Sequence, residues 1–462
     1  MKLTNLQEKS VLILGLGREG LSTYQVLRNL FPKKLLIIAD KNLLEEFPKS
    51  VQQKLKTDRQ LKLNLGSNYL QGLEDYEVII KTPGISPLLP EIQFILNANK
   101  SVLTSQTELF FENFKGKIIG ITGTKGKSTT SSLIYHLLKT VGFNVKIGGN
   151  IGKPALELLG INRSTSAGGT IRRSHDSAQV TSTGGTGIGT ESALVPWAIL
   201  ELSSHQLWDL KKSPHIAVFL NIYPEHLDYS DFTSYFKAKQ NIVLWQKNDD
   251  YFVYNNSFPE LESLAEKTGS YDLGFDGSGL AIEQQLEAVK TVAEILKIDT
   301  KDVEKAIKTF KPLAGRLERV GTYKGITFYD DALATIPQAT LNSLKTFSGE
   351  IGVLFLGGFD RGQDFIPVIE EVKKQKVPLI ILFPPVGEKI LNILNTKYFL
   401  LNTQSKWFLV KSMKEAVQLV YKHCPRHTIA LFSTGAPSFG LFKDYKHRSE
   451  QFRYWLKKLG KN

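Results

Sequence analysis

The chain has 462 residues, more than one hydrophobic core can serve, so two or three α/β domains are expected. Its 58 Lys and Arg against 45 Asp and Glu leave a net charge of +13, with the lysines scattered rather than striped with aromatics; this suits polyanionic small substrates such as nucleotides and argues against a nucleic-acid partner. A single cysteine, Cys424, excludes a disulfide framework and a Cys-based zinc site, and the lack of an apolar leader or of any run near 18 apolar residues predicts a soluble, cytoplasmic protein without a membrane partner.

The first block opens with an apolar strand, Val11 to Leu14, then Gly15-Leu-Gly17-Arg18-Glu19-Gly20, a helix, and an apolar strand ending in Asp40. Glycines at this spacing, with a carboxylate 20 residues after the last of them, form the turn that holds a dinucleotide's phosphates and ribose. A tight strand-to-helix packing turn is the plainer alternative. Val78 to Lys81 then runs into a Pro-Gly turn through Thr82, on the same rim.

The second block begins near Phe111. An apolar strand from Lys117 to Ile121 enters Gly123-Thr124-Lys125-Gly126-Lys127-Ser128-Thr129, followed by a helix with Leu133, Ile134, Leu137, Leu138 and Val141 at helical spacing. Such a turn points backbone N–H groups at a phosphate, and the helix N-terminus adds positive partial charge. Lys127 would meet the β- and γ-phosphates, and Ser128 or Thr129 a Mg²⁺ ion. The first glycine of the strict phosphate-loop pattern is missing, since Ile121 stands five residues before Gly126.

Gly148-Gly-Asn150-Ile-Gly follows. Then, from Asn162 to Ser192, 18 of 31 residues are Gly, Ser or Thr, a composition that cannot offset its ordering entropy and reads as a flexible surface insertion. A lid or binding segment using Arg172, Arg173 and His175 is the functional alternative. Order resumes at Val195, in a strand ending in Glu201, placed as the second ligand of a nucleotide-bound Mg²⁺ usually is. The strand from Ile216 to Ile222 ends in Tyr223-Pro-Glu225-His226-Leu-Asp228, again at the edge where open α/β sheets bind ligands.

The third block starts near Leu313 with Gly315-Arg316-Leu-Glu318 and a strand ending in Asp330-Asp331. Further strands run Ile351–Gly358, Pro378–Phe383 and Thr428–Phe432, with turns carrying Arg361 and Ser433 to Phe439. Arginines at strand-end turns suit anion binding.

In this order, Gly123 to Thr129, Gly148 to Gly152, Glu201-Leu-Ser203-Ser-His205-Gln-Leu207, Asn221 to Asp228, Tyr235-Phe-Lys-Ala-Lys239, Gly315 to Glu318, Asp330 to Thr335 and the 433–439 turn resemble the Mur ligases over nearly the whole chain. The resemblance implies an α/β protein of three domains. A Rossmann-like N-terminal domain (1–108) would hold UDP. A central P-loop ATPase-like domain (109–312) would hold ATP and carry the 162–192 insertion. A Rossmann-like C-terminal domain (313–462) would hold an amino acid.

The activity implied is an ATP-dependent amide-bond ligase of peptidoglycan precursor synthesis, working as a monomer. It is closest to the members that join D-glutamate to UDP-N-acetylmuramoyl-L-alanine through an acyl phosphate.

The same resemblance assigns roles. Gly123, Thr124, Lys125, Gly126, Lys127, Ser128 and Thr129 would cradle ATP, with Gln285 at the adenine and Arg316 and Asp331 approaching from the third domain. Ser128, Glu201, His226 and Lys239 would hold two Mg²⁺ ions, Lys239 as a CO₂-derived carbamate; Lys127, His226 and Lys239 are the catalytic set. Gly17, Arg18, Glu19, Asp40, Thr82, Asn150 and Ser203 would bind the UDP-linked substrate, and Thr335, Arg361, Ser438 and Phe439 the amino acid.

The chain departs from the family pattern at Leu333 and Arg361, where lysines are common, at Gln285, commonly asparagine, and at His205, often aromatic. The signature of the diaminopimelate-adding members is absent. An NAD-dependent oxidoreductase built on Gly15, Gly17, Gly20 and Asp40 would leave the second-block loop unexplained. A non-catalytic nucleotide-binding protein would have no use for Lys127, Glu201, His226 and Lys239 together. Within the ligase class, the rival is a related enzyme that takes another amino acid or a folate-type acceptor.

Overall fold

A computed structural model describes residues 1–98, 100–161, 195–223, 231–279, 281–311, 315–394 and 405–460. The 162–192 insertion and His226 lie outside the described residues. The chain divides into two compact units, Met1–Phe310 and Lys311–Asn462. Among the described residues no helix is long and apolar enough to cross a membrane.

The first unit holds two parallel sheets. One contains β1 (Val11–Leu14), β2 (Leu36–Asp40), β3 (Leu61–Leu65), β4 (Val78–Lys81) and β5 (Val102–Ser105) in the order β3-β2-β1-β4-β5. β1, β2 and β4 are buried along their whole length, as expected of parallel strands covered on both faces. The chain leaves β1 in one direction for β2 and returns beyond it for β4, so a crevice opens at their C-terminal ends.

The other sheet contains β6 (Lys117–Thr122), β7 (Val145–Gly149), β8 (Trp197–Glu201), β9 (Ile216–Phe219), β10 (Tyr251–Asn255) and β11 (Tyr271–Phe275), ordered β11-β10-β9-β6-β8-β7. Here β6 sits at the reversal, between β8 and β9. The Lys127–Thr140 helix packs on this sheet through Leu133, Ile134, Leu137 and Leu138, the face its spacing predicts. A continuous apolar core joins the two sheets: Leu27, Leu109 and Phe110 pack into the same cluster as Leu200, Ala217 and Phe219.

The second unit holds one sheet of β12 (Glu318–Tyr323), β13 (Ile326–Asp330), β14 (Ile351–Gly357), β15 (Leu379–Phe383), β16 (Lys406–Leu409) and β17 (Ile429–Phe432), ordered β12-β13-β17-β14-β15-β16. β12 is antiparallel to β13, and the other pairs are parallel. Arg448 is buried in this unit and donates to the Ala332 and Ala436 carbonyls at 2.8 and 3.0 Å, tying its helix to two strand-end loops.

The β1 turn needs its glycine. Gly15 has φ +95°, and a Cβ there would stand 2.0 Å from Thr82 Oγ1. Gly15→Ala therefore combines backbone strain with displacement of Thr82. It is expected to destabilise the first unit by about 1–3 kcal/mol in urea unfolding.

Candidate active site

The first crevice is a cleft of about 760 Å³ beyond β1, β2 and β4. Gly17, Arg18, Glu19, Asp40, Thr82 and Asn150 all line it, so six residues scattered over the sequence meet at one cleft. The first five come from the dinucleotide-type turn and its neighbouring strand ends, and Asn150 arrives from the turn after β7. Arg18 Nη2 donates to the Gly149 carbonyl at 2.5 Å, which ties the two turns together.

Asp40 does structural work there. Its Oδ2 accepts from the Leu16 N–H at 2.6 Å and its Oδ1 from the Asn42 N–H at 2.8 Å, so the carboxylate pins the glycine turn from which it was expected to reach a ribose. Ser203 is likewise engaged locally. Its Oγ accepts from the Gln206 N–H at 3.3 Å and donates to Gln206 Oε1 at 3.1 Å, starting the Ser204–Leu207 turn of helix.

The second crevice lies beyond β6, β8 and β9. The position where the strict loop pattern wants a glycine is held by Ile121, fully buried inside β6; the strand runs one residue further, to Thr122, and the turn begins at Gly123. Gly126 follows with φ +85°, and a Cβ on it would stand 3.1 Å from Gln285 Nε2. Gln285 therefore lies against the loop, and its buried Oε1 has no hydrogen-bond partner among the described residues. An amino group such as that of adenine would satisfy it.

Two cations hold the loop's interior. Lys127 Nζ donates to the Gly123 and Thr124 carbonyls, both at 2.9 Å. Lys239 is 1% exposed, and its Nζ donates to the Gly123 carbonyl at 2.9 Å and to Thr122 Oγ1 at 3.2 Å. Ser128 is buried in the first turn of the following helix, with Thr129 beside it half-buried.

Several residues of this cradle received no role from the sequence. Asn221, just after β9, accepts from the Lys125 N–H at 2.8 Å and donates back to the Lys125 carbonyl at 3.0 Å, while its own carbonyl accepts from the Thr124 N–H. Thr124 Oγ1 also lies 3.2 Å from the Tyr235 hydroxyl. A polar residue directly after a buried strand was the available signal for Asn221.

Glu201, at the end of β8, is 1% exposed. Its Oε1 accepts from Asn150 Nδ2 at 2.8 Å, and its Oε2 is buried with no partner among the described residues. Asn150 thus touches both crevices.

In the second unit, Asp331 is buried and its Oδ2 accepts from Ser343 and Ser433, each at 2.7 Å. Arg316 lies half-buried on the turn before β12. The loops after β13, β14 and β17 meet at one rim: Gly435 N–H donates to the Ala334 carbonyl at 3.0 Å and Phe359 N–H to the Pro437 carbonyl at 2.9 Å. This rim carries Thr335 half-buried, Arg361 exposed, Ser438 buried and Phe439 half-exposed, its ring edge-on to Phe359. Leu333 sits on the same turn.

The Mur ligase middle domain family matches residues 121–318, which span the loop, Glu201 and Lys239. Curated relatives align over nearly the whole chain. The UDP-N-acetylmuramoylalanine–D-glutamate ligase of Oenococcus oeni is 28% identical, over 98% of this chain and 98% of that protein. The UDP-N-acetylmuramoyl-L-alanine–L-glutamate ligase of Xanthomonas euvesicatoria pv. vesicatoria is 27% identical, over 98% and 96%. Residues 121–318 belong to the Mur ligase middle domain family, and the relatives that align over nearly the whole chain are named as ligases of UDP-N-acetylmuramoyl-L-alanine.

Solved Mur ligases share the fold. MurF from Thermotoga maritima in complex with ADP matches at 15% identity with a TM-score of 0.55, covering 99% of this chain and 97% of that one. MurC from the same organism matches at 15% and 0.54, over 98% and 100%. The chain is an ATP-dependent ligase, and the residues at its loop suit a nucleotide-bound Mg²⁺. Mg²⁺ takes one or two protein oxygens and completes its shell with phosphates and water. Glu201 Oε2, buried and without a partner among the described residues, has the chemistry of such an oxygen.

Asp331 gives this ligase a measurable pH signature. Burial pushes its carboxyl up to about 6, against the Ser343 and Ser433 hydrogen bonds and the nearby Arg316 charge, which pull it down. A raised carboxyl favours the folded state while protonated. Its contribution is therefore complete below its unfolded value near 4 and lost as pH rises through about 6, at a cost of up to about 3 kcal/mol. Asp331→Asn should flatten that part of the stability profile between about pH 4 and 6. Urea unfolding of the full chain, read by proteolysis within Lys311–Asn462, measures it.

Proposed function

We propose that this ligase joins glutamate to UDP-N-acetylmuramoyl-L-alanine, with D-glutamate as the amine, in peptidoglycan precursor synthesis. The observation that carries this reading is Asn150, which lines the 760 Å³ cleft and whose side chain holds Glu201 at the phosphate loop. A substrate lying in the cleft beside Asn150 brings its acyl end toward the γ-phosphate. The names of the relatives favour glutamate: the Oenococcus enzyme is named for the D form and the Xanthomonas enzyme for the L form, at nearly equal identity. L-glutamate is therefore the second reading.

In this reading 1–108 is the UDP-binding domain, 109–312 the ATP-binding domain and 313–462 the amino-acid domain. The substrate carboxylate takes the γ-phosphoryl group of ATP and ADP leaves. The amine then attacks the acyl carbon, phosphate departs from the tetrahedral intermediate, and the amine gives up a proton. Bound Mg²⁺ would neutralise the repelling anions and polarise the transferred phosphoryl group.

The chain's own residues do the positioning. Lys127, held by the Gly123 and Thr124 carbonyls, presents a fixed cation to the γ-phosphate without reorganising. Ser128 and Glu201 would supply metal oxygens, with His226 as a further ligand. A carbamate on Lys239 would keep one N–H for the Gly123 carbonyl and add two oxygens sharing one negative charge, able to ligate Mg²⁺. Gln285 would receive the adenine amino group, and Arg316 would approach the nucleotide. On the second unit's rim, Arg361 would pair with a carboxylate in bidentate geometry, where Leu333 cannot, and Thr335, Ser438 and Phe439 would frame the amino acid.

Phosphate release from the purified protein with ATP, Mg²⁺, UDP-N-acetylmuramoyl-L-alanine and either glutamate enantiomer tests the reading. Release with D-glutamate alone is expected. Release with L-glutamate alone reverses the stereochemistry, and release with neither removes glutamate. Lys127→Ala should lower turnover by at least about a hundredfold; unchanged turnover would remove the loop assignment.

A further inference from the structure

Glu19 is a carboxyl group on the wall of a cleft that has to receive a polyanion, and its hydrogen bonds determine where a proton can sit. Ser203 donates its N–H to Gln206 Oε1 at 2.9 Å and its hydroxyl to the same oxygen at 3.1 Å. That fixes the Gln206 amide with its NH₂ turned away from Ser203, and this NH₂ donates to Glu19 Oε1 at 2.6 Å. Oε1 is thus an acceptor, and a proton on the acid belongs on Oε2. Oε2 is buried and has no partner among the described residues, while Glu19 lines the cleft beside Gly17, Arg18 and Thr82.

The surroundings of the carboxyl group oppose one another. Burial raises its affinity for a proton, and this is the largest influence. The Gln206 hydrogen bond, the Arg18 guanidinium on its own helix and Lys81 from β4 act the other way, as does the N-terminus of the Arg18–Leu30 helix. Lys81 is itself paired with Asp209 at 3.1 Å and donates to the Ile85 carbonyl. Gln106 and Thr23 donate to the Glu19 backbone carbonyl, and among the described residues Gln206 is the hydrogen-bond partner of the side chain. The net direction is upward.

An ionised Glu19 would place a negative charge against the incoming diphosphate. A neutral one presents an O–H donor at the oxygen that lacks a partner. We propose that Glu19 binds substrate as the neutral acid, donating a hydrogen bond from Oε2 to a phosphate oxygen of the nucleoside diphosphate that fills the cleft. Glu19 is then a specificity residue that couples substrate affinity to proton concentration. This inference rests on the UDP-substrate reading of the cleft given above.

The test is binding of UDP-N-acetylmuramoyl-L-alanine to the full chain without ATP, by calorimetry from pH 6 to 8.5 in two buffers of different ionisation enthalpy. The phosphodiesters and carboxylate of that ligand do not titrate in this range. For the unaltered chain, Kd should rise with pH, approaching tenfold per pH unit above the acid's midpoint, with proton uptake on binding. Glu19→Gln keeps an N–H donor without a titrating charge. It should bind with a pH-independent Kd and take up no proton. A flat profile without proton uptake in the unaltered chain overturns the proposal. So does pH dependence that persists in Glu19→Gln, or loss of binding by Glu19→Gln at every pH, which would make Oε2 an acceptor. Absence of binding by both proteins at every pH overturns the proposal and the substrate reading together, whereas binding with a flat profile overturns this proposal alone.

Discussion

One row of strand register sets the geometry of the nucleotide crevice. In the central sheet Ile121 of β6, Glu201 of β8 and Gly149 of β7 stand side by side. Ile121 leads into the loop, Glu201 carries the carboxylate, and Gly149 precedes Asn150. Side chains alternate faces along a strand, so a slip of one residue in β8 would turn Glu201 to the opposite face and bring Leu200 to the loop. The buried, apolar character of β6 and β8 on both faces is what forbids that slip: Ile119, Ile121, Ile199 and Leu200 are each fully buried.

The same register explains how the two crevices of the first unit communicate. Asn150 is held at both ends, its N–H donating to the Glu201 carbonyl at 2.9 Å and its side chain to Glu201 Oε1. Arg18 reaches the Gly149 carbonyl from the first sheet, and Gln206, five residues after Glu201, reaches Glu19. The segment from β8 through the following turn of helix therefore touches the phosphate loop at one end and the substrate cleft at the other. A packed core running from Phe110 to Phe219 beneath both sheets keeps these contacts from being independent. Small displacements of β8 must move both crevices, because close-packed interiors transmit strain rather than absorb it.

What could be read from the sequence followed from local chemistry. The buried strands β1, β2, β4, β6, β8, β14, β15 and β17 are short apolar runs bounded by turn residues, and the loop helix shows its 3.6-residue spacing. Less visible were β3, β11 and β16, edge strands whose alternating or polar residues, as in Leu61 to Leu65 and Lys406 to Leu409, resemble surface loops. At the site, residue types marked Lys127 and Glu201, but pairings across long sequence separations left no local trace. Asn221 clamps Lys125 across 96 positions and Gln206 meets Glu19 across 187. Asp40 was legible as a carboxylate at the right distance from the glycines, but not as one bonded to Leu16 and Asn42.

The missing first glycine of the loop has a physical explanation in the two lysines. A loop that begins inside a buried strand gives up one flexible residue and ends β6 at Thr122. The turn is then compressed into Gly123 to Gly126, and its first carbonyl faces inward with no strand partner to receive it. Lys127 and Lys239 both donate to that Gly123 carbonyl at 2.9 Å. An inward carbonyl would repel a phosphate; the Lys127 ammonium upon it reverses the local field, and an N–H from Lys239 caps the same oxygen. The shortened loop and the buried Lys239 are thus one arrangement, since replacing Ile121 by glycine would loosen the strand end whose carbonyl geometry the two lysines need. Glu201 stands beside Ile121 in the neighbouring strand, with its Oε2 buried and unpartnered among the described residues, so the carboxylate keeps its place at the loop only because β6 and β8 keep their register.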